Sequence, residues 1–122
     1  MIRTILATAA LLCGLAVGAS AQEHARGVID RTLNDLSRAA NFERHHHGNE
    51  ADRYENASKH LSDFDREFTR GHFDKDKLDT AIDDVKNVVE HNTLEPSDRD
   101  ALRADLSSLR GVREEHDRLR HD

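Results

Sequence analysis

Tyr54-Glu55-Asn56-Ala57-Ser58-Lys59-His60-Leu61-Ser62-Asp63-Phe64-Asp65-Arg66-Glu67-Phe68 decides the fold. Its apolar residues, Tyr54, Ala57, Leu61, Phe64 and Phe68, recur by strictly alternating steps of three and four. A helix of about 3.6 residues per turn gathers such positions on one side, whereas a strand scatters them over both faces. The stretch therefore reads as a helix with a coiled-coil-like seam. It starts at Glu50 behind an Asn49 cap and ends near Arg70, where Gly71 supplies a stop.

The same spacing extends to both sides. Val28, Ile29, Leu33, Leu36, Ala39 and Ala40 form a stripe in a helix expected from about Glu23 to His46, with Gly48 as its stop. Leu78, Ala81, Ile82, Val85, Val88 and Val89 form another, from an Asp74 cap to His91, with Asn92 as its stop. A fourth begins near Pro96, a residue pre-shaped for a first helical position, and is capped by Glu95 or Ser97. Leu102, Leu106, Leu109, Val112, His116 and Leu119 line it, and the termini, to about Gly27 and from about Arg118, are expected to fray. One proline and few β-branched residues disfavour strands. Short connections predict an all-α protein, a small antiparallel bundle of four helices. The alternative fuses the first two helices through Gly48 into a long hairpin that needs a partner.

Residues 1–21 read as a signal peptide. Arg3 supplies the positive start, Ile5 to Val17 an apolar stretch too short to span a bilayer, and Ala19-Ser20-Ala21 a small-residue cleavage site. Cys13 follows Leu12 inside the apolar stretch and reads as leader filler rather than a lipid-attachment site. Cleavage after Ala21 leaves residues 22–122 as a single helical domain without cysteine, which excludes disulfides and thiol chemistry. Export places this domain in a periplasm or outside the cell.

Leu, Ile, Val and Phe make up 20 of those 101 residues, so the core is thin. Losing Arg3 leaves 17 basic against 24 acidic residues, interspersed rather than blocked. That pattern describes a solvated surface and gives no basic patch for nucleic acid.

Among chemistry-bearing residues, His45-His46-His47 stands out, since neutral imidazoles ligate zinc, copper or nickel. Adjacent helical residues point about 100° apart, so only Glu43 with His47 and His46 with Glu50 are spaced to share an ion, and Gly48 interrupts the second pair. His91 falls at the same bundle end. The alternative is a polar helix end whose histidines favour the negative dipole terminus. His116, on the apolar stripe, is expected to be half-buried and bonded to a neighbouring acid. Asp74 to Asp79 resembles a calcium loop only briefly, because Leu78 takes a ligand position and Val85 the twelfth. No serine lies in a nucleophile-elbow context, and pairs such as Asp63/Glu67 and Asp79/Asp83 read as solvated. No catalytic residue and no cofactor is assigned.

Leu94-Glu95-Pro96-Ser97-Asp98-Arg99, leading into the fourth helix, resembles in part the Leu-Thr-x-x-Gln repeats of small periplasmic stress chaperones, which are also exported and helical. The stretch lacks the Thr and the Gln and occurs once, so no functional residue carries over.

These readings predict a non-enzymatic exported protein acting through helix-face contacts, with a second copy or an envelope protein as partner. The alternative is a metal-binding or metal-sensing protein using His45, His46 and His47 with a divalent transition metal. A third, a pH sensor through nine histidines, predicts a change in association between about pH 5 and 7.

Overall fold

The computed structural model describes residues 2–42 and 50–121, with side chains for residues 21–42 and 50–120. Four helices make up the described chain: α1 (Ile2–Phe42), α2 (Glu50–Thr69), α3 (Lys75–His91) and α4 (Pro96–His121). Among the described residues there is no strand.

The local signals that open and close α3 act as the sequence predicts. The Asp74 carboxylate accepts from the Lys77 N–H at 3.1 Å, and the chain turns extended at Asn92. Gly71 takes φ of 89°, a left-handed conformation that suits glycine, directly after α2. At α4 the Arg99 N–H donates to the Glu95 carbonyl at 2.9 Å, so Glu95 rather than Ser97 is the residue that opens the helix.

α1 departs from expectation. Instead of beginning near Glu23 with a frayed start, it runs unbroken from Ile2. Residues 2–21 are rich in Ala and Leu, the strongest helix formers, and hold no proline. Gly27 is tolerated inside the helix because Ala25, Val28 and Ile29 on either side of it are buried. α4 continues to His121.

The helices form a closed ring. α1 meets α2 and α4, α3 meets the same two, and neither diagonal pair approaches. Cross-links follow a regular order. On the α2–α3 side the Asn92 amide donates to the Glu50 carbonyl at 3.0 Å and Arg53 donates to Asn92 at 3.0 Å. Further along, His60 bonds Asp84, and Lys77 lies 3.8 Å from Glu67. On the α3–α4 side Arg99 binds the Val89 carbonyl at 2.6 Å, Arg113 pairs with Asp79, and Lys75 lies 3.3 Å from Asp117.

The seam residues of α2 (Tyr54, Ala57, Leu61, Phe64) and of α3 (Leu78, Ala81, Val85, Val88) are buried at the centre. Burying each large apolar side chain contributes roughly 1.5–3 kcal/mol, so the thin core suffices because its members converge on one cluster.

α1 and α4 also keep alternating steps of three and four, but with polar residues in register. In α1 one line of buried positions runs Ala25, Val28, Thr32, Asp35, Ala39, beside Ile29 and Leu36; in α4 one line runs Asp98, Leu102, Asp105, Leu109, Val112, beside Leu106. Thr32 satisfies itself by donating to the Val28 carbonyl at 2.7 Å. The two seams end in the exposed large apolar side chains Phe42 and Leu119, 44% and 59% accessible.

Candidate functional site

His45, His46 and His47 lie outside the described residues, as does Gly48. The neighbouring frame is well defined: the Asn92–Glu50 hydrogen bond ties the start of α2 to the end of α3, where His91 is exposed. Among the described residues no three histidine, cysteine or acidic side chains are grouped to hold a metal ion.

Two shallow grooves open between helices. One, about 390 Å³, lies between α2 and α3 beside His60, Asp63, Asp76 and Lys77. The other, about 480 Å³, lies between α3 and α4 beside Asp83, Lys86, Arg110 and Arg113. Both are lined by charges of both signs, and those charges already pair across the grooves, as His60–Asp84 and Arg113–Asp79 do. Asp79 is thus an ion-pair partner rather than a free surface acid, as is Glu67, which accepts from His72 at 3.5 Å. On the surface of α4, Arg118 pairs with Glu115, one turn before it.

His116 is not bonded to an acid as expected. Its ring stacks on Phe73, with centroids 3.7 Å apart and planes 5° from parallel. Phe73 in turn meets Phe64 and Phe68 edge-on at 5.2 and 6.1 Å. Burial against this aromatic group lowers the His116 pKa, and the nearby Arg120 charge acts in the same direction. The Phe64–Phe68 seam therefore closes the lower end of the core with a histidine as its lid.

Hydropathy alone passes over the most unusual groups, the acids at the α1 interfaces. Asp105 of α4 is 1% accessible and faces Arg31 and Asp35 of α1. Arg31 Nε donates to Asp105 Oδ1 at 3.0 Å and its Nη2 reaches Ser108 at 3.2 Å. Asp105 Oδ2 is buried with no hydrogen-bond partner among the described residues. Burial and the Asp35 carboxyl push Asp105 up to about 7, against the opposing pull of Arg31. On the other flank, Asp65 of α2 faces Arg26 and Asp30 of α1, and its Oδ1 is likewise buried without a partner. Burial raises the Asp65 pKa, Arg26 opposes this, and Asp30 adds to it. Arg38 lies 3.4 Å from Asp35, so on the α4 flank two facing carboxyls each have a guanidinium of their own.

A signal for these acids does exist. Asp35 and Asp105 occupy the three-four register of their own apolar stripes, so the period that finds Val28 and Leu109 also finds them.

No protein-family model, no curated protein and no solved structure matches this chain.

Proposed function

We propose that the chain is an exported, non-enzymatic helical protein that acts through contacts of its helix faces, with a second copy of itself or with a protein of the cell envelope. One observation carries this reading: the seams of α1 and α4 run past the buried core and surface at Phe42 and Leu119. A helix whose apolar stripe outruns its intramolecular cover presents a ready face to another helix. The grooves between helices are open and internally charge-paired, which favours a contact protein over an enzyme that needs an enclosed pocket.

Export is supported by Arg3, the apolar stretch Ile5 to Val17 and Ala19-Ser20-Ala21. The cut after Ala21 also falls in a suitable place. Among the described side chains, those of residues 21–24 are exposed and Ala25 is the first that is buried. Among the described residues no helix is long and apolar enough to cross a membrane. An antiparallel order of neighbouring helices fits the cross-links, because partners on α3 descend from Asn92 through Asp84 to Lys77 as those on α2 ascend from Glu50 through His60 to Glu67.

Sedimentation of the mature chain over a range of concentrations tests the reading, together with envelope crosslinking. Association that is lost on Leu119→Glu is the expected result. A concentration-independent monomer that captures no protein in the envelope overturns it.

The second reading, metal binding through His45, His46 and His47, is favoured by the Asn92–Glu50 bond at 3.0 Å. That bond ties Glu50, the first described residue after the histidines, to the end of α3 that carries His91. Calorimetric titration with zinc, copper and nickel discriminates: heat at micromolar metal that vanishes on His45→Ala, His46→Ala and His47→Ala supports it, and no heat ends it.

A further inference from the structure

We infer that α1 is a proton-latched helix, docked on α4 while Asp105 holds a proton and loosened when Asp105 ionises, with Asp65 on the α2 flank acting in the same direction. On the α4 flank the Asp105 and Asp35 carboxyls face each other, with Arg31 3.0 Å from Asp105 and Arg38 3.4 Å from Asp35. On the α2 flank Asp65 faces Arg26 and Asp30. Two carboxylates that share a site resist ionising together, and one retains its proton.

Hydrogen-bond geometry makes the same demand. Asp105 Oδ2 and Asp65 Oδ1 are buried carboxylate oxygens with no donor among the described residues. The Asp35 carboxyl lies within hydrogen-bonding reach of Asp105, and only an added proton can turn that acid–acid contact into a bond. Leaving a buried polar atom unpaired is costly, and leaving a charge so is costlier.

Other charges around the ring meet opposite charges, some of them two at once, as Glu67 meets His72 and Lys77 and Asp117 meets Lys75 and Arg113. On the far side of α2, α3 answers with Asp84 on His60 and Lys77 on Glu67; toward α4 it places Asp79 on Arg113 and Lys75 on Asp117. Of the acids buried in the core, Asp35 and Asp105 meet across a helix interface, and that interface belongs to α1. α3 is held to its neighbours by apolar packing and paired charges, so ionisation selects α1 for release. Its departure opens a core in which Phe64, Leu102 and Leu109 are fully buried.

Hydrogen exchange of the full 122-residue chain at pH 5 and pH 8 tests the latch, read as opening equilibria of α1 amides relative to α3 amides. That ratio cancels the pH dependence of intrinsic exchange. The expected result is a ratio that rises about tenfold or more from pH 5 to 8, since one unit of pKa shift corresponds to a tenfold change in equilibrium. Asp105→Asn keeps an oxygen for Arg31 and adds an N–H for Asp35, so it flattens most of the rise. Asp65→Asn removes a smaller part. Asp63→Asn, on the α2 surface beside Arg66, leaves the rise intact. An unchanged ratio in the wild-type chain overturns the latch, as does a full rise in both Asp105→Asn and Asp65→Asn.

Discussion

The α2–α3 pair and the α1–α4 pair are built to one period from different materials. Along α2 and α3 the register is filled by Tyr54, Leu61, Phe64, Leu78, Val85 and Val88, and charges are kept to the rim, where His60 meets Asp84. Along α1 and α4 the same register admits Thr32, Asp35, Asp98 and Asp105. Apolar transfer depends little on pH, whereas a buried carboxyl changes its contribution with every proton it gains or loses. One half of the bundle is therefore a fixed scaffold and the other a seam whose strength the medium can set.

Substituting the scaffold should produce the largest effect. Phe64 is fully buried and touches both Phe68 and Phe73, so Phe64→Ala should cost about 3–5 kcal/mol at any pH. Denaturant melts at pH 5 and pH 8 check this; losses that differ widely between the two would break the contrast.

Asp105→Asn should act with the opposite sign and only on the alkaline side. The folded pKa of Asp105, about 7, exceeds its unfolded value of 3.8, so the folded state holds a proton that the unfolded state has lost in between. Stability then falls as pH rises from about 4 to 7, and above that the full cost is present. The amide should stabilise the chain by about 1–2 kcal/mol at pH 8 and by little near pH 4. Thermal melts across that range are the measurement.

Asp74→Ala removes the side chain that accepts from Lys77 N–H at the start of α3 and should cost about 1 kcal/mol. Asp74→Asn, which still caps, should recover most of it.

The smallest effect belongs to His116. Its folded pKa lies below the ordinary 6.5, so its contribution is present above that value and is lost as pH falls below it. His116→Phe keeps the stack on Phe73 and should remove this acid-side loss, sharpening the alkaline-side signal of Asp105.

What was legible in the sequence follows the same divide. The α2 and α3 stripes are visible because apolar residues fill every register position, and Asp74, Gly71 and Asn92 mark helix ends by local backbone chemistry alone. Asp35 and Asp105 escape because hydropathy counts an aspartate as surface wherever it falls. Their burial comes from the packing of α1 on α4, and Arg31, the partner of Asp105, lies 74 residues away in the chain, so nothing local announces the pairing. The unbroken α1 was hidden for another reason: the Ala- and Leu-rich stretch that suits a leader is also a strong helix former, and the two readings use the same residues. His116 was read from its place on the stripe but not from its stacking, because Phe73 belongs to the connection before α3 and follows no period.

Arg31 and Asp105 also impose a schedule. At the corner between α3 and α4, Arg99 reaches the Asn92 and Val89 carbonyls across 7 and 10 residues, a closure that takes shape almost as soon as the segment exists. The partner of α1 on α4, by contrast, follows Arg31 by 74 residues. Arg31 thus waits for most of the bundle to be made before its clasp can close, so this is the late closure of the fold.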